Sequence, residues 1–151
     1  MSGPTVADAD RLAAAAHLGQ LDKAGQPYIA HPRAVAAMLA EQGHGDHVLM
    51  AALLHDVVED TAVTLDDLRA ASYPAEVVDA VDAVTKREGE TYMDAVWRAA
   101  AHPLGLLVKL ADNAHNSLPD RLALLPDADA DRLRRKYVRA RRVLLAAEDA
   151  W

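Results

Sequence analysis

Residues 53–61 read LLHDVVEDT. Four ionisable side chains, His55, Asp56, Glu59 and Asp60, stand among Leu53, Leu54, Val57 and Val58. A solvated helix face has no need of leucine and valine on both sides of each charge, and a core helix has no need of the charges. At ~100° per residue of helix, with His55 at zero, Glu59 falls at about 40°, Asp56 at about 100° and Asp60 at about 140°. The four occupy one arc, and Ala51, Ala52 and the aliphatic residues fill the rest of the turn. The stretch reads as a buried helix with a single acidic wedge. Grouped carboxylates are costly to bury unless something compensates their charge. Either one carboxyl keeps a proton, or a metal ion sits among them. A set of His and Asp ligands suits Mn²⁺, Fe²⁺ or Zn²⁺ rather than Ca²⁺.

A second stretch has the same character. Residues 106–117, LLVKLADNAHNS, place polar groups in an apolar helix. Relative to Asp112, Lys109 lies at about +60° and Asn116 at about +40°, so the three share a face. His31, before Pro32 at a helix start, can point its ring at a neighbouring helix. Two buried helices, each with a polar wedge, are expected to turn those wedges toward one another.

The rest of the chain reads as helix throughout. Helices are expected over about 6–18, 31–42, 47–59, 64–71, 74–84, 91–101, 103–114 and 130–147. Thr64 and Thr91, each with Asp three residues on, are capping-box starts. Leu133, Tyr137, Ala140 and Leu144 form the inward stripe of the last helix, and Trp97 is read as core. The 151 residues are enough for one domain with a real core, and no β-alternation or internal repeat appears. The expected fold is all-α, a single compact helical bundle around one metal site, spanning 1–151.

The formal net charge is −7, which argues against a general nucleic-acid binder. Seven of the 16 basic residues lie between Arg132 and Arg142 with no acid among them, which reads mainly as a solvated helix face. The absence of cysteine excludes disulfides and thiolate metal sites and fits a cytoplasmic protein. The first residues lack the features of a signal peptide, and no uncharged apolar run approaches the roughly 18 residues of a membrane span. The sequence leaves a homo-oligomer open.

His31, the His55-Asp56 pair, Asp112, and Glu59-Asp60 together resemble the HD superfamily of metal-dependent phosphohydrolases. The closer similarity is to the hydrolase domain of RelA/SpoT-type proteins and the small alarmone hydrolases. The matching segments are AGQPYIAHP at 24–32, AALLHDVVEDT at 51–61, VT at 84–85 and VKLADNAHN at 108–116. The resemblance implies an all-α fold around one Mn²⁺, another divalent transition metal being possible, with His31, His55, Asp56 and Asp112 as its ligands. It implies that Glu59 and Asp60 position or activate the attacking water, and that the reaction removes pyrophosphate from the 3′ position of ppGpp and pppGpp. On that reading Lys109 and Asn116 meet phosphate or sugar oxygens. Lys86 and Tyr92 either line the substrate mouth or belong to an ordinary surface loop. His115 and His17 stand close enough in the pattern to approach the site or to pack behind it.

The chain also departs from the family pattern. Asp22 stands where relatives carry an arginine that helps hold the guanine base, with Lys23 as a partial substitute, and Ser117-Leu118-Pro119 lacks a second arginine. Two alternatives therefore accompany (p)ppGpp hydrolysis. One is an HD hydrolase for another phosphorylated nucleotide. The other is a metal-binding regulatory domain without turnover, against which the intact Glu59-Asp60 pair argues.

Overall fold

Three Thr-x-x-Asp sequences open helices in the computed structural model, which describes residues 3–151. Thr5, Thr64 and Thr91 each accept a hydrogen bond from the backbone of the Asp three residues on, and each Asp returns one to the threonine N–H. The helices are α1 (Val6–Ala16), α2 (Ala30–Glu41), α3 (Asp46–Leu54), α4 (Val57–Asp60), α5 (Leu65–Ala70), α6 (Ala75–Val84), α7 (Tyr92–Ala100), α8 (Pro103–Asn116), α9 (Pro119–Leu122) and α10 (Asp127–Ala150). Among the described residues there is no strand, so the all-α expectation holds.

α3 is the central element. Met50, Ala51, Ala52, Leu53 and Leu54 are all buried, which accounts for its apolar residues on every side. It packs against α1, α2, α6 and α8. Val35 and Leu39 of α2, Val77 and Val81 of α6, and Val108 of α8 close the main core around it. A leucine buried as fully as Leu54 is worth about 2–5 kcal/mol against alanine. α10 lies across α7 and α8 and buries Ala140 and Leu144 against Val96 and Leu106.

α8 is drawn in closely at its start. A Cβ on Gly105 would come within 3.2 Å of both the Ala83 side chain and the Ala99 carbonyl, so any larger residue would push this helix back from α6 and α7 by a few tenths of an ångström. The side chain of His102 caps the helix, accepting the Gly105 N–H at 3.0 Å.

Two expectations are corrected. Trp97 is 59% exposed, because α7 turns Val96, Ala99 and Ala100 inward and leaves Trp97 on the outer face. The helix expected over 47–59 is two helices. His55 donates its ring Nδ1–H to the Ala52 carbonyl at 2.5 Å, and Asp56 leaves helical geometry with φ −103° and ψ −2°. α4 then starts again at Val57. Among the described residues no helix is long and apolar enough to cross a membrane.

Candidate metal centre and its cleft

The break after α3 brings two adjacent residues to one point. His55 is buried, with Nε2 3.0 Å from Asp56 Oδ2 and 3.5 Å from Asp112 Oδ1. His31, in the first turn of α2, sets Nε2 2.8 Å from Asp112 Oδ1 and 3.9 Å from Asp56 Oδ2. Ligand atoms of His31, His55 and Asp112 all lie within 4.8 Å of one another. The four residues expected to hold a metal thus come together from α2, the α3–α4 break and α8.

The hydrogen-bond directions fit a cation. His55 spends Nδ1–H on Ala52, which leaves its buried Nε2 to face Asp56 and Asp112. Nδ1 of His31 faces Nδ1 of His115 at 2.7 Å. Burial first, then His31 and Arg121, push His115 down to about 4, so it is neutral at pH 7. Both imidazoles point Nε2 at carboxylate oxygens, an arrangement that needs positive charge there, as a proton on the ring or as a metal ion. Burial works against a proton on His55, but Asp56 and Asp112 outweigh it and raise that histidine well above its usual value. The centre calls for a cation, and two imidazoles with two carboxylates suit a divalent transition metal.

Outer partners hold the carboxylates. The Tyr28 hydroxyl donates to Asp56 Oδ2 at 2.6 Å. Burial pushes Asp56 up, but the neighbouring imidazole of His55 brings it down to about 2. Asp112 accepts from Lys109 Nζ at 3.0 Å and Asn116 Nδ2 at 3.1 Å. Burial again opposes the charge, and Lys109 with His31 and His55 holds Asp112 well below the carboxylate range. Lys109 is in turn raised by Asp112 against its own desolvation.

The centre forms one wall of a cleft of about 410 Å³. Lys23, Glu59, Lys109 and Asn116, all expected near substrate, line it. Glu59 is positioned from the side, its Oε1 accepting the Lys86 N–H at 2.6 Å. The loop that supplies this N–H is fastened by Arg98, which reaches the Ala83, Asp82 and Thr85 carbonyls and the Glu90 carboxylate. Asp60 is not on the cleft wall. Its carboxyl is pushed up to about 6, by desolvation first and then by Asp56 and Glu59. Lys86 and Tyr92 also stand off the wall. Lys86 contributes its backbone to Glu59, and Tyr92 lies under the ammonium of Lys109, 5.4 Å from the ring centre.

Tyr28 and Arg121 are cleft residues that the sequence reading gave no site role. Tyr28 was legible only as part of PYIAHP, three residues before His31. His17 is buried behind it, ring against ring at 4.8 Å, and is not a ligand. Asp22 proves to be a turn former. Its Oδ1 accepts the N–H groups of Ala24 and Gln26, and its Oδ2 lies 3.6 Å from Arg121 Nη1. The acid at this position thus draws an arginine from α9 into the cleft.

Known proteins resemble this chain in sequence and in fold. The chain is 42% identical over 127 residues to the probable GTP pyrophosphokinase of Mycobacterium leprae (strain TN), covering 78% of this chain and 16% of that protein. It is 39% identical over 111 residues to the bifunctional (p)ppGpp synthase/hydrolase SpoT of Escherichia coli (strain K12), covering 67% of this chain and 16% of SpoT. The chain thus spans about a sixth of the length of these curated relatives. A solved metazoan ortholog of SpoT, which hydrolyzes ppGpp and plays a role in starvation responses, matches with a TM-score of 0.75 and 27% identity over 99% of this chain and 96% of that one. The model of the HD domain family matches residues 9–150, nearly the whole chain, and the chain belongs to that family.

Proposed function

We propose that residues 1–151 are one HD-type hydrolase domain that removes pyrophosphate from the 3′ position of (p)ppGpp, with Mn²⁺ held by His31, His55, Asp56 and Asp112. The observation that carries this reading is the convergence of two buried imidazole Nε2 atoms on two carboxylates at the wall of a nucleotide-sized cleft. A solved relative that hydrolyzes ppGpp shares the fold, which supports the choice of substrate. When bound, a divalent ion in such a centre makes water more acidic and offsets charge on phosphate oxygens.

The side chains then divide the remaining work. Glu59 Oε1 is occupied by the Lys86 N–H, which leaves Oε2 to take a proton from the attacking water. The water oxygen bonds to the phosphorus attached at O3′, the P–O3′ bond breaks, and O3′ takes up a proton. GDP and pyrophosphate leave when ppGpp is the substrate. Lys109, Lys23 and Asn116 face the phosphates from the cleft wall. Asp60, whose carboxyl keeps a proton to about pH 6, orients a second water beside Glu59. With a nucleotide substrate and no cysteine, we place the reaction in the cytoplasm.

A second reading, hydrolysis of a different phosphorylated nucleotide, is favoured by one observation: Asp22 forms a turn and pairs with Arg121 where relatives carry a base-binding arginine. Incubation of the protein with Mn²⁺ and a nucleotide panel separates the readings. GDP and pyrophosphate from ppGpp are the expected products. Turnover of other nucleotides with ppGpp untouched supports the second reading, and bound metal with no turnover identifies a regulatory domain.

A further inference from the structure

Glu59 is exposed, and α4, which carries it, has four residues. Neither packing nor helix length fixes its carboxylate. Among the described residues the Lys86 N–H, 2.6 Å from Oε1, is the one hydrogen-bond donor to it. The position of that N–H is set by the loop over 85–91, which joins α6 to α7 and pairs with no strand. The loop bends through Gly89, at φ +78°, and closes as a turn where the Glu90 N–H donates to the Arg87 carbonyl at 3.1 Å.

Arg98 holds the chain on both sides of Lys86. Ahead of it, Nη1 donates to the Ala83 carbonyl at 2.6 Å and the Asp82 carbonyl at 3.2 Å, and Nη2 donates to the Thr85 carbonyl at 3.0 Å. Behind it, Nε donates to Glu90 Oε2 at 3.1 Å and Nη2 reaches Glu90 Oε1. The same Glu90 carboxylate accepts the Arg87 N–H at 2.6 Å. All three guanidinium nitrogens are engaged, and the planar fork bridges acceptors on either side of one residue. Arg98 comes from α7, whose Val96, Ala99 and Ala100 are buried, so the clamp stands on the core rather than on the loop. A guanidinium at the end of α6 could cap that helix with no bearing on the site. The bond from Lys86, the N–H that follows Thr85, to Glu59 is what links this clamp to the chemistry.

We infer that Arg98, with Glu90, is a positioning residue for the hydrolytic step: it fixes the Lys86 N–H, and that N–H holds Glu59 Oε1 so that Oε2 is presented to the attacking water. The inference rests on the hydrolase reading. Arg98 is not on the cleft wall, so it acts on the proton acceptor and not on substrate affinity. A reacting group misplaced by about 1 Å costs about 10²-fold in rate, so a loosened loop shows in kcat.

Arg98→Met removes every bond of the clamp, and Arg98→Lys keeps a cation at the α6 carbonyls while giving up the fork. In Mn²⁺-loaded protein, Arg98→Met is expected to lower kcat for guanosine 3′,5′-bis(diphosphate) about tenfold and Arg98→Lys about threefold, with KM and bound metal held. In a Glu59→Gln background Arg98→Met is expected to cost nothing further, since the carboxylate it positions is gone. The same loss in both backgrounds overturns the inference, as does a rise in KM with kcat held. Independently of turnover, hydrogen exchange at the Lys86 amide is expected to quicken about tenfold in Arg98→Met while exchange at the buried Ala99 is unchanged. Equal exchange at Lys86 in wild type and Arg98→Met overturns the inference, and an equal quickening at both amides makes Arg98 a structural residue only. Should wild type turn over no nucleotide while Arg98→Met still frees the Lys86 amide, the hydrolase reading fails and the clamp on Glu59 stands.

Discussion

α8 delivers Lys109, Asp112 and Asn116 to the metal centre from an unbroken helix, at spacings of three and four residues that put all three on one face. The segment opposite supplies His55 and Asp56, which are adjacent. Neighbours on a regular helix diverge by ~100°, so both cannot face one ion from intact helix. The chain resolves this by ending α3 at Leu54 and restarting at Val57, with the His55 ring bonded back to Ala52. Spaced ligands leave a helix whole, whereas adjacent ligands require it to break. The break also turns Glu59 out to the cleft wall, one turn beyond the ligands.

The sharpest way to break this pairing lies on the interrupted side. His55→Ala removes both a ligand and the bond that shapes the turn. It is expected to abolish metal binding and turnover together, as read by metal analysis and product release. Glu59→Gln, four residues on, is expected to keep the metal and lower kcat by about 10²-fold or more. Full activity in Glu59→Gln places the proton acceptor elsewhere, and loss of metal in that variant makes Glu59 a structural member of the centre.

A milder pair sharpens the contrast through the outer partners. His115 holds the outer Nδ1 of His31 from the α8 side, and Tyr28 donates to Asp56 on the interrupted side. His115→Ala and Tyr28→Phe are each expected to weaken metal affinity by about 10–100-fold while the fold is retained, as measured by competition with a chelating dye. If only His115→Ala weakens it, the bond from His55 to Ala52 is sufficient to hold the interrupted side.

The contrast also explains what could be read in advance. α8 was legible because periodicity carries its geometry, and Thr64 and Thr91 were legible because capping is local. The convergence of the four proposed ligands was legible because buried charges need partners. The break at His55 and Asp56 was not, since LLHDVV contains no Gly or Pro and the cause is a side chain meeting the Ala52 carbonyl together with Asp112 arriving from another helix. The contact of Lys136 with the Tyr92 ring was hidden for a similar reason. Seven basic residues in eleven positions look alike until α10 docks on α7 and α8 and one of them turns inward. Trp97 was misread because its size outweighed its position opposite the small residues of α7 that actually pack.

The smallest effect expected is at Asp60, which belongs to the short helix restarted after the break. In metal-free protein its carboxyl is held at about 6 against an ordinary value of 3.8. The folded state therefore binds the proton more tightly than the unfolded chain, and ionisation of Asp60 opposes folding. Its contribution to stability is present below pH 4 and is lost as pH rises to about 6. Asp56 and Asp112 run the opposite way, held below the usual range and losing stability as pH falls, and they cancel in a difference between variants. Asp60→Asn should match wild type near pH 4 and exceed it from pH 7 upward in thermal unfolding of chelator-treated protein. Because Asp60 is exposed on its outer side, solvent screening should keep the gain to about 1–3 °C. Added metal supplies the missing positive charge and should shrink that gain. A gain that is the same at pH 4 and pH 7 means that the carboxyl is not strained by its neighbours across the break.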